Sequence, residues 1–150
     1  MEIVVRALRT EDVEALARIE AESFSMPWSA KAFEELLAHP YCFYLVALME
    51  GEPVGCCGYT VSFGEANIDN VVVAPGYRNH GIAQLMLREL IRAGEEAQVE
   101  AFTLEVRVGN ACAIHIYEKL GFSKEGIRPR FYEKPVEDAV IMWRRKQRTV

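Results

Sequence analysis

Hydrophobic residues recur along this chain with two periods, and the switches between them predict its elements. Ile3 to Ala7 reads as a first strand. Thr10 then caps a helix with Glu11 and Asp12 in its first turn, and Val13, Leu16 and Ile19 recur at three-residue spacing, which predicts a helix from about Glu11 to Ser23, interrupted by Pro27. Ser29 caps a second short helix whose Phe33, Leu36 and Leu37 form one stripe, and Pro40 stops it. Between Tyr41 and Val73 lie three aromatic and β-branched runs, Cys42 to Met49, Pro53 to Phe63 and Ala66 to Val73. The turns Glu50-Gly51-Glu52 and Gly64-Glu65 separate them, so the region reads as an antiparallel meander.

The helical period returns after residue 81. Ala83, Met86, Leu87, Leu90, Ile91 and Gly94 share one face, with Gln84, Arg88, Glu89 and Arg92 on the other, so the stripe is core. Phe102 to Val108 alternates, with Phe102, Leu104, Val106 and Val108 on one side and Thr103, Glu105 and Arg107 on the other. Asn110 caps a helix from Ala111 to Leu120 that Gly121 closes, and two strands follow, near Ser123 to Tyr132 and Asp138 to Trp143. With 150 residues, 51% hydrophobic, and no repeat or linker, the chain is long enough for one substantial core and too short for two, which predicts one domain over 1–150.

Composition narrows the chemistry. No apolar run is long enough to cross a bilayer and the charged start lacks the apolar region of a signal peptide, so a cytoplasmic protein is expected. Cys42, Cys56, Cys57 and Cys112 form no C-x-x-C pair, and adjacent Cys56 and Cys57 point to opposite faces of a strand, which suits reduced, mostly buried thiols. His39, His80 and His115 show no ligand spacing, so no metal is expected. The net charge is −5, although Arg144 to Arg148 carries four positive charges, read as a solvated tail. An acidic body disfavours general nucleic-acid binding and suits a cationic acceptor, an amine or a basic peptide.

The densest chemical signal is Val71 to Ala83, where a β-branched run breaks at Pro75 and Gly76 and a helix starts directly after Gly81. The first N–H groups of a helix lack intrahelical partners and sit at the positive end of its dipole, so main chain alone can bind a pyrophosphate there. Neither Gly-x-x-x-x-Gly-Lys-Ser/Thr nor Gly-x-Gly-x-x-Gly is present, which argues against a nucleotide triphosphatase or a dinucleotide enzyme.

Arg78-x-x-Gly81-x-Ala83 resembles the acetyl-CoA loop of the GNAT acetyltransferases. Leu104 to Asn110, followed by Ala113 to Phe122, resembles that family's closing signature, and the three blocks in this order span most of the chain. Pro27-Trp28-Ser29, Ile127-Arg128, Phe131-Tyr132 and Glu137-Asp138-Ala139 are similar to the RimI-type branch, which acetylates the N-terminal alanine of ribosomal protein S18.

The resemblance implies a single α/β (α+β) domain with a mixed, mostly antiparallel sheet of about six to seven strands and about four helices, its fourth and fifth strands splayed. It implies acetyl-CoA as co-substrate, its pantetheine amides on the main chain of Val71, Val72 and Val73. Its pyrophosphate would lie on Arg78, Asn79, His80, Gly81, Ile82, Ala83 and Gln84, and Asn110 would touch it too. Glu105 matches the general base and Tyr117 the general acid, with the Val73 N–H polarising the thioester carbonyl. The residues alone leave other readings open: Glu105 also suits a solvated or Arg-paired carboxylate, and Tyr117 has core spacing with Ile114 and Leu120. The implied acceptor is a protein N-terminus, that of ribosomal protein S18, in a groove near Trp28 and Phe131 to Glu137, with Glu137 and Asp138 as partners for an acceptor arginine. The alternatives are a broader N-terminal or small-amine acetyltransferase, or a non-catalytic CoA-binding module.

Overall fold

The first strand, β1 (Ile3–Ala7), is followed by a 3-10 turn over Thr10–Asp12 and helices α1 (Val13–Ser23) and α2 (Ala30–Ala38) in the computed structural model, which describes residues 2–146. The meander follows as β2 (Cys42–Met49), β3 (Glu52–Ser62) and β4 (Glu65–Val73). A 3-10 turn at Pro75–Tyr77 leads to α3 (Ile82–Glu96), then β5 (Ala101–Arg107), α4 (Ala111–Lys119), β6 (Ser123–Tyr132) and β7 (Glu137–Arg145). All seven strands form one sheet in the order β1-β2-β3-β4-β5-β7-β6, antiparallel except for β4 beside β5. The elements match the alternation and helical stripes of the sequence closely, because each carries its own period.

The sheet has a core on each face. Ile82, Met86, Leu87, Leu90 and Ile91 of α3 and Ile114 and Tyr117 of α4 pack on one side, while Val13, Leu16 and Ile19 of α1 and Phe33 of α2 pack on the other. Cys56 and Cys57 divide between the two cores, as adjacent strand residues must. Gly94 lets α3 come close, since a Cβ there would sit 2.6 Å from the Phe102 ring.

Several local expectations are corrected. Thr10 is not the cap of the first helix: it lies inside the 3-10 turn, and α1 begins after Asp12 without a side-chain cap, since the Asp12 carboxylate, only 2% exposed, reaches back to accept from the Arg9 N–H at 2.9 Å and from both Arg6 guanidinium nitrogens at 2.8 and 3.0 Å. That pairing with β1 tightens residues 10–12 into a 3-10 turn. The caps at Ser29 and Asn110 form as expected, accepting from Ala32 N at 3.2 Å and Ala113 N at 3.1 Å. Leu37 and Val108 fall at the margins of their stripes and are exposed.

Cys112 is exposed, apart from the buried thiols. The tail is also not simply solvated: Arg144 donates to Leu120 O at 2.9 Å and to Glu95 at 2.8 Å, and Arg145 pairs with Glu125 and stacks on Trp143. Gln147 and Arg148 lie outside the described residues.

Candidate active site

The site starts from a fault in the sheet. Cys56 faces Val72 and Gly58 faces Asp69, so Cys57 alone opposes Asn70 and Val71, one residue too many on β4. Asn70 absorbs the extra residue with φ +50°, in the left-handed region that asparagine tolerates. A bulge bends and twists its strand, and here it turns β4 away from its neighbour: β4 and β5 pair only through Glu65, Ala66 and Asn67 with Ala101, Phe102 and Thr103. Past that point β4 stays bound to β3 as far as Val73, and β5 to β7 as far as Arg107, so the two arms open as a fork. Ala74 N–H donates to Val54 O at 2.8 Å, and strand alternation therefore turns the Val73 N–H the other way, into the fork.

A cavity of about 580 Å³ occupies this fork. Its arms contribute Val71, Val73 and Asn70 on one side and Leu104, Glu105 and Val106 on the other. The loop before α3 closes one end with Arg78, Asn79, Gly81, Ile82, Ala83 and Gln84, and α4 adds its cap Asn110, Cys112 in its first turn and Tyr117 in its last. Gly81 precedes α3 with φ +77°, a conformation that a side chain resists, and open space lies where its Cβ would be. The N–H groups at the start of this fifteen-residue helix border the cavity without a side-chain cap.

An unpaired strand edge beside a bare helix N-terminus fits a ligand with amides at one end and phosphates at the other. Val72 departs from the expected main-chain set, since the alternation that turns Val73 into the fork turns the Val72 main chain toward β3, and His80 is exposed outside the cavity lining. The Arg78 side chain also turns back, donating to Val73 O at 3.1 Å and Ser23 Oγ at 3.0 Å, so it braces the loop against β4 and α1.

The titratable groups gather at the mouth of the fork. Glu105 lies two residues past the last β4–β5 pair, with its side chain 15% exposed and 3.5 Å from the Arg128 Nε. Asp69 holds the equivalent place on β4, and burial, with the charge of Glu105 second, pushes its carboxyl up to about 6. Tyr132 is lifted to about 12 by burial and by Glu105, with Arg107 opposing. Tyr117 has its ring against Phe122 at 5.8 Å, and burial pushes its phenol well above the usual range, so it stays protonated at neutral pH.

A second cavity, of about 810 Å³, meets the first at Asn70 and Asn110, which line both. One wall is Phe24, Met26 and Trp28, the other Phe131, Tyr132 and Pro135, with Glu20 and Arg107 between them. Both segments that the resemblance assigned to an acceptor groove thus line one opening. Glu137 and Asp138, however, do not line that opening, and folding gives each an internal partner. Glu137 accepts from Gly109 N at 2.7 Å and Arg107 at 3.2 Å, and Asp138 from Arg130 N at 2.9 Å.

Glu20, Asp69 and Asn70 were not among the residues expected at the site. A signal existed for Glu20, which lies four residues past Leu16 beside Ile19 on the core-facing side of the helix, where a carboxylate is out of place. No described helix is long and apolar enough to cross a membrane, and no cluster of three metal-ligand residues occurs among the described residues.

Comparisons with known proteins agree with this geometry. A Bacillus subtilis protein is 38% identical over 140 residues, covering 93% of each chain. The ribosomal protein bS18-alanine N-acetyltransferase of Escherichia coli K12 is 34% identical over 140 residues, 92% of this chain and 94% of that one. The crystal structure of the ribosomal-protein-S18-alanine N-acetyltransferase from Escherichia coli superposes with TM-score 0.90 at 30% identity, over 99% of this chain and 97% of the other. The family model for the acetyltransferase (GNAT) family matches residues 13–122, and the chain, with its forked sheet and bare helix N-terminus, belongs to that family of acetyltransferases.

Proposed function

We propose that this chain transfers acetyl from acetyl-CoA to the α-amine of a protein N-terminus in the cytoplasm, with the N-terminal alanine of ribosomal protein bS18 as its acceptor. Residues 1–150 form one acetyltransferase domain in this reading. The observation that carries it is the second cavity, open to solvent between two apolar walls and joined to the fork at Asn70. An extended peptide can lie along such walls with its first residue at the seam, whereas a small amine would leave most of the cavity unfilled.

The main chain of Val71 and Val73 takes the pantetheine amides as an added strand would be taken, and the loop from Arg78 to Gln84, with Asn110 nearby, faces the pyrophosphate. Acetyl-CoA supplies the activated acyl group. The Val73 N–H, aimed into the fork, donates to the thioester carbonyl and stabilises the charge that develops there. An α-amine with pKa of about 7.7–8.0 is mainly protonated at neutral pH, and Glu105 accepts its proton directly or through water.

Tyr117 remains protonated and donates a hydrogen bond to the departing sulfur. A thiol has pKa of about 8.5, below that of this phenol, so Tyr117 acts more by holding that sulfur than by losing its proton outright.

Acceptor competition tests the assignment. A short peptide beginning Ala-Arg is expected to show a higher kcat/KM than spermidine, an aminoglycoside or free alanine. Faster acetylation of a polyamine or aminoglycoside would remove the acceptor and leave the family and the fork standing.

A further inference from the structure

Three buried side-chain atoms among the described residues lack a hydrogen-bond partner: Glu20 Oε2, Tyr44 Oη and Asn67 Oδ1. Only Glu20 belongs to the lining of the two cavities described above, and it is 1% exposed. Its Oε1 is fully engaged, accepting from the Trp28 N–H at 3.0 Å and from Asn70 Nδ2 at 3.2 Å. Its Oε2 accepts nothing, and no described cation pairs with the carboxylate. A buried carboxylate is costly unless a cation and further donors complete it. Glu20 therefore brings an uncompleted carboxyl, which burial holds above the usual carboxylate range, to the lining of the second cavity, one hydrogen bond from Asn70, where that cavity joins the fork.

The ligand that completes such a group is small, cationic and rich in N–H donors, and must reach the seam of the two cavities. The α-ammonium at the end of an acceptor chain has each property: three donors, one positive charge, and a position at the fork for acyl transfer. We infer that Glu20 is the docking residue for the acceptor's α-ammonium, accepting one of its N–H bonds at Oε2 while Oε1 holds Trp28 and Asn70 in place. This inference rests on the reading of the chain as an α-amine acetyltransferase. It adds a binding carboxylate distinct from Glu105, so that one group seats the amine and another receives its proton.

Glu20→Gln separates docking from scaffolding. The amide oxygen keeps both internal hydrogen bonds, and the amide nitrogen replaces the free acceptor with a donor. Binding is measured by calorimetry to the enzyme–CoA complex, where no acetyl group is present and no turnover occurs, using an Ala-Arg peptide and its desamino analogue with propionyl in place of alanine. The expected result is a loss of tenfold or more in affinity for the amine peptide in Glu20→Gln, with the desamino peptide, CoA affinity and melting temperature unchanged. The wild-type enzyme should itself prefer the amine peptide to the desamino one by a similar factor, a comparison that needs no variant. Equal wild-type affinity for the two peptides would overturn the inference, as would an equal loss of both in Glu20→Gln. Acetylation of the peptide by the wild-type enzyme is scored separately, so its absence would count against the proposed function and a silent Glu20→Gln against this inference alone.

Discussion

Tyr117 shows how one side chain serves packing and chemistry together: its ring is wedged against Phe122, yet the same residue lines the fork. Tyr117→Phe keeps the ring and deletes the hydroxyl, so turnover should fall by roughly 10²–10³-fold, as for losing one donor to developing charge, while the melting temperature holds. Steady-state kinetics beside a thermal melt check this, and equal turnover would return Tyr117 to a purely structural part. Asp69 carries a cost of the opposite kind. Its carboxyl titrates near 6 in the folded chain against 3.8 for an unperturbed aspartate, with burial the main cause and Glu105 the second. Between those values the unfolded chain has released the proton and the folded chain still holds it, so Asp69 contributes full stability below pH 4 and progressively less as pH rises to 6. Asp69→Asn should therefore gain on the order of 1–3 kcal/mol over wild type in urea unfolding at pH 7.5 and nothing at pH 3.5. A gain of equal size at both pH values would mean that packing, not charge, is responsible.

At the scale of elements, the fork depends on one bulge and one helix start. Gly81→Val places a β-branched residue where φ is +77° and fills the open space before α3. Acetyl-CoA at 100 times its dissociation constant should stabilise the wild type by about 2.7 kcal/mol, and Gly81→Val should lose most of that shift in a thermal melt. Unaltered protection would mean that the ligand does not lie on this loop. The loop and strands were readable in the sequence because their signals are local: Gly81 before a helical stripe, the alternation from Phe102 to Val106, the caps at Ser29 and Asn110. The start of α1 was not readable at Thr10 because the Asp12 carboxylate is engaged by Arg6, on another element, and by the Arg9 N–H, bonds that no helical stripe contains. The bulge at Asn70 was hidden inside a β-branched run, since a register shift is a property of two strands and no single run reveals it. The internal partners of Glu137 and Asp138 were hidden for the same reason, as the bonds to Arg107, Gly109 and Arg130 exist only once the hairpin has formed.

Across the whole molecule, β4 and β5 divide the sheet at its centre, with the fork cavity between the arms and the second cavity joined to it at Asn70 and Asn110. The second cavity is assembled from segments near residues 20–28, 70, 107–110 and 131–135, so its two apolar walls could be assigned in advance only through resemblance, while its carboxylate left a trace in the sequence as a charge in a core-facing stripe. This arrangement makes regioselectivity the direct consequence of the account: an α-amine at a chain end reaches the seam, while a lysine side chain in mid-peptide must bring flanking chain on both sides past Trp28 and Phe131. The decisive measurement is fragment mass spectrometry of a peptide beginning Ala-Arg and carrying an internal lysine, after incubation with the enzyme and acetyl-CoA. The account predicts one acetyl group, on the α-amine of the alanine. Acetyl on the lysine with the α-amine free would contradict it.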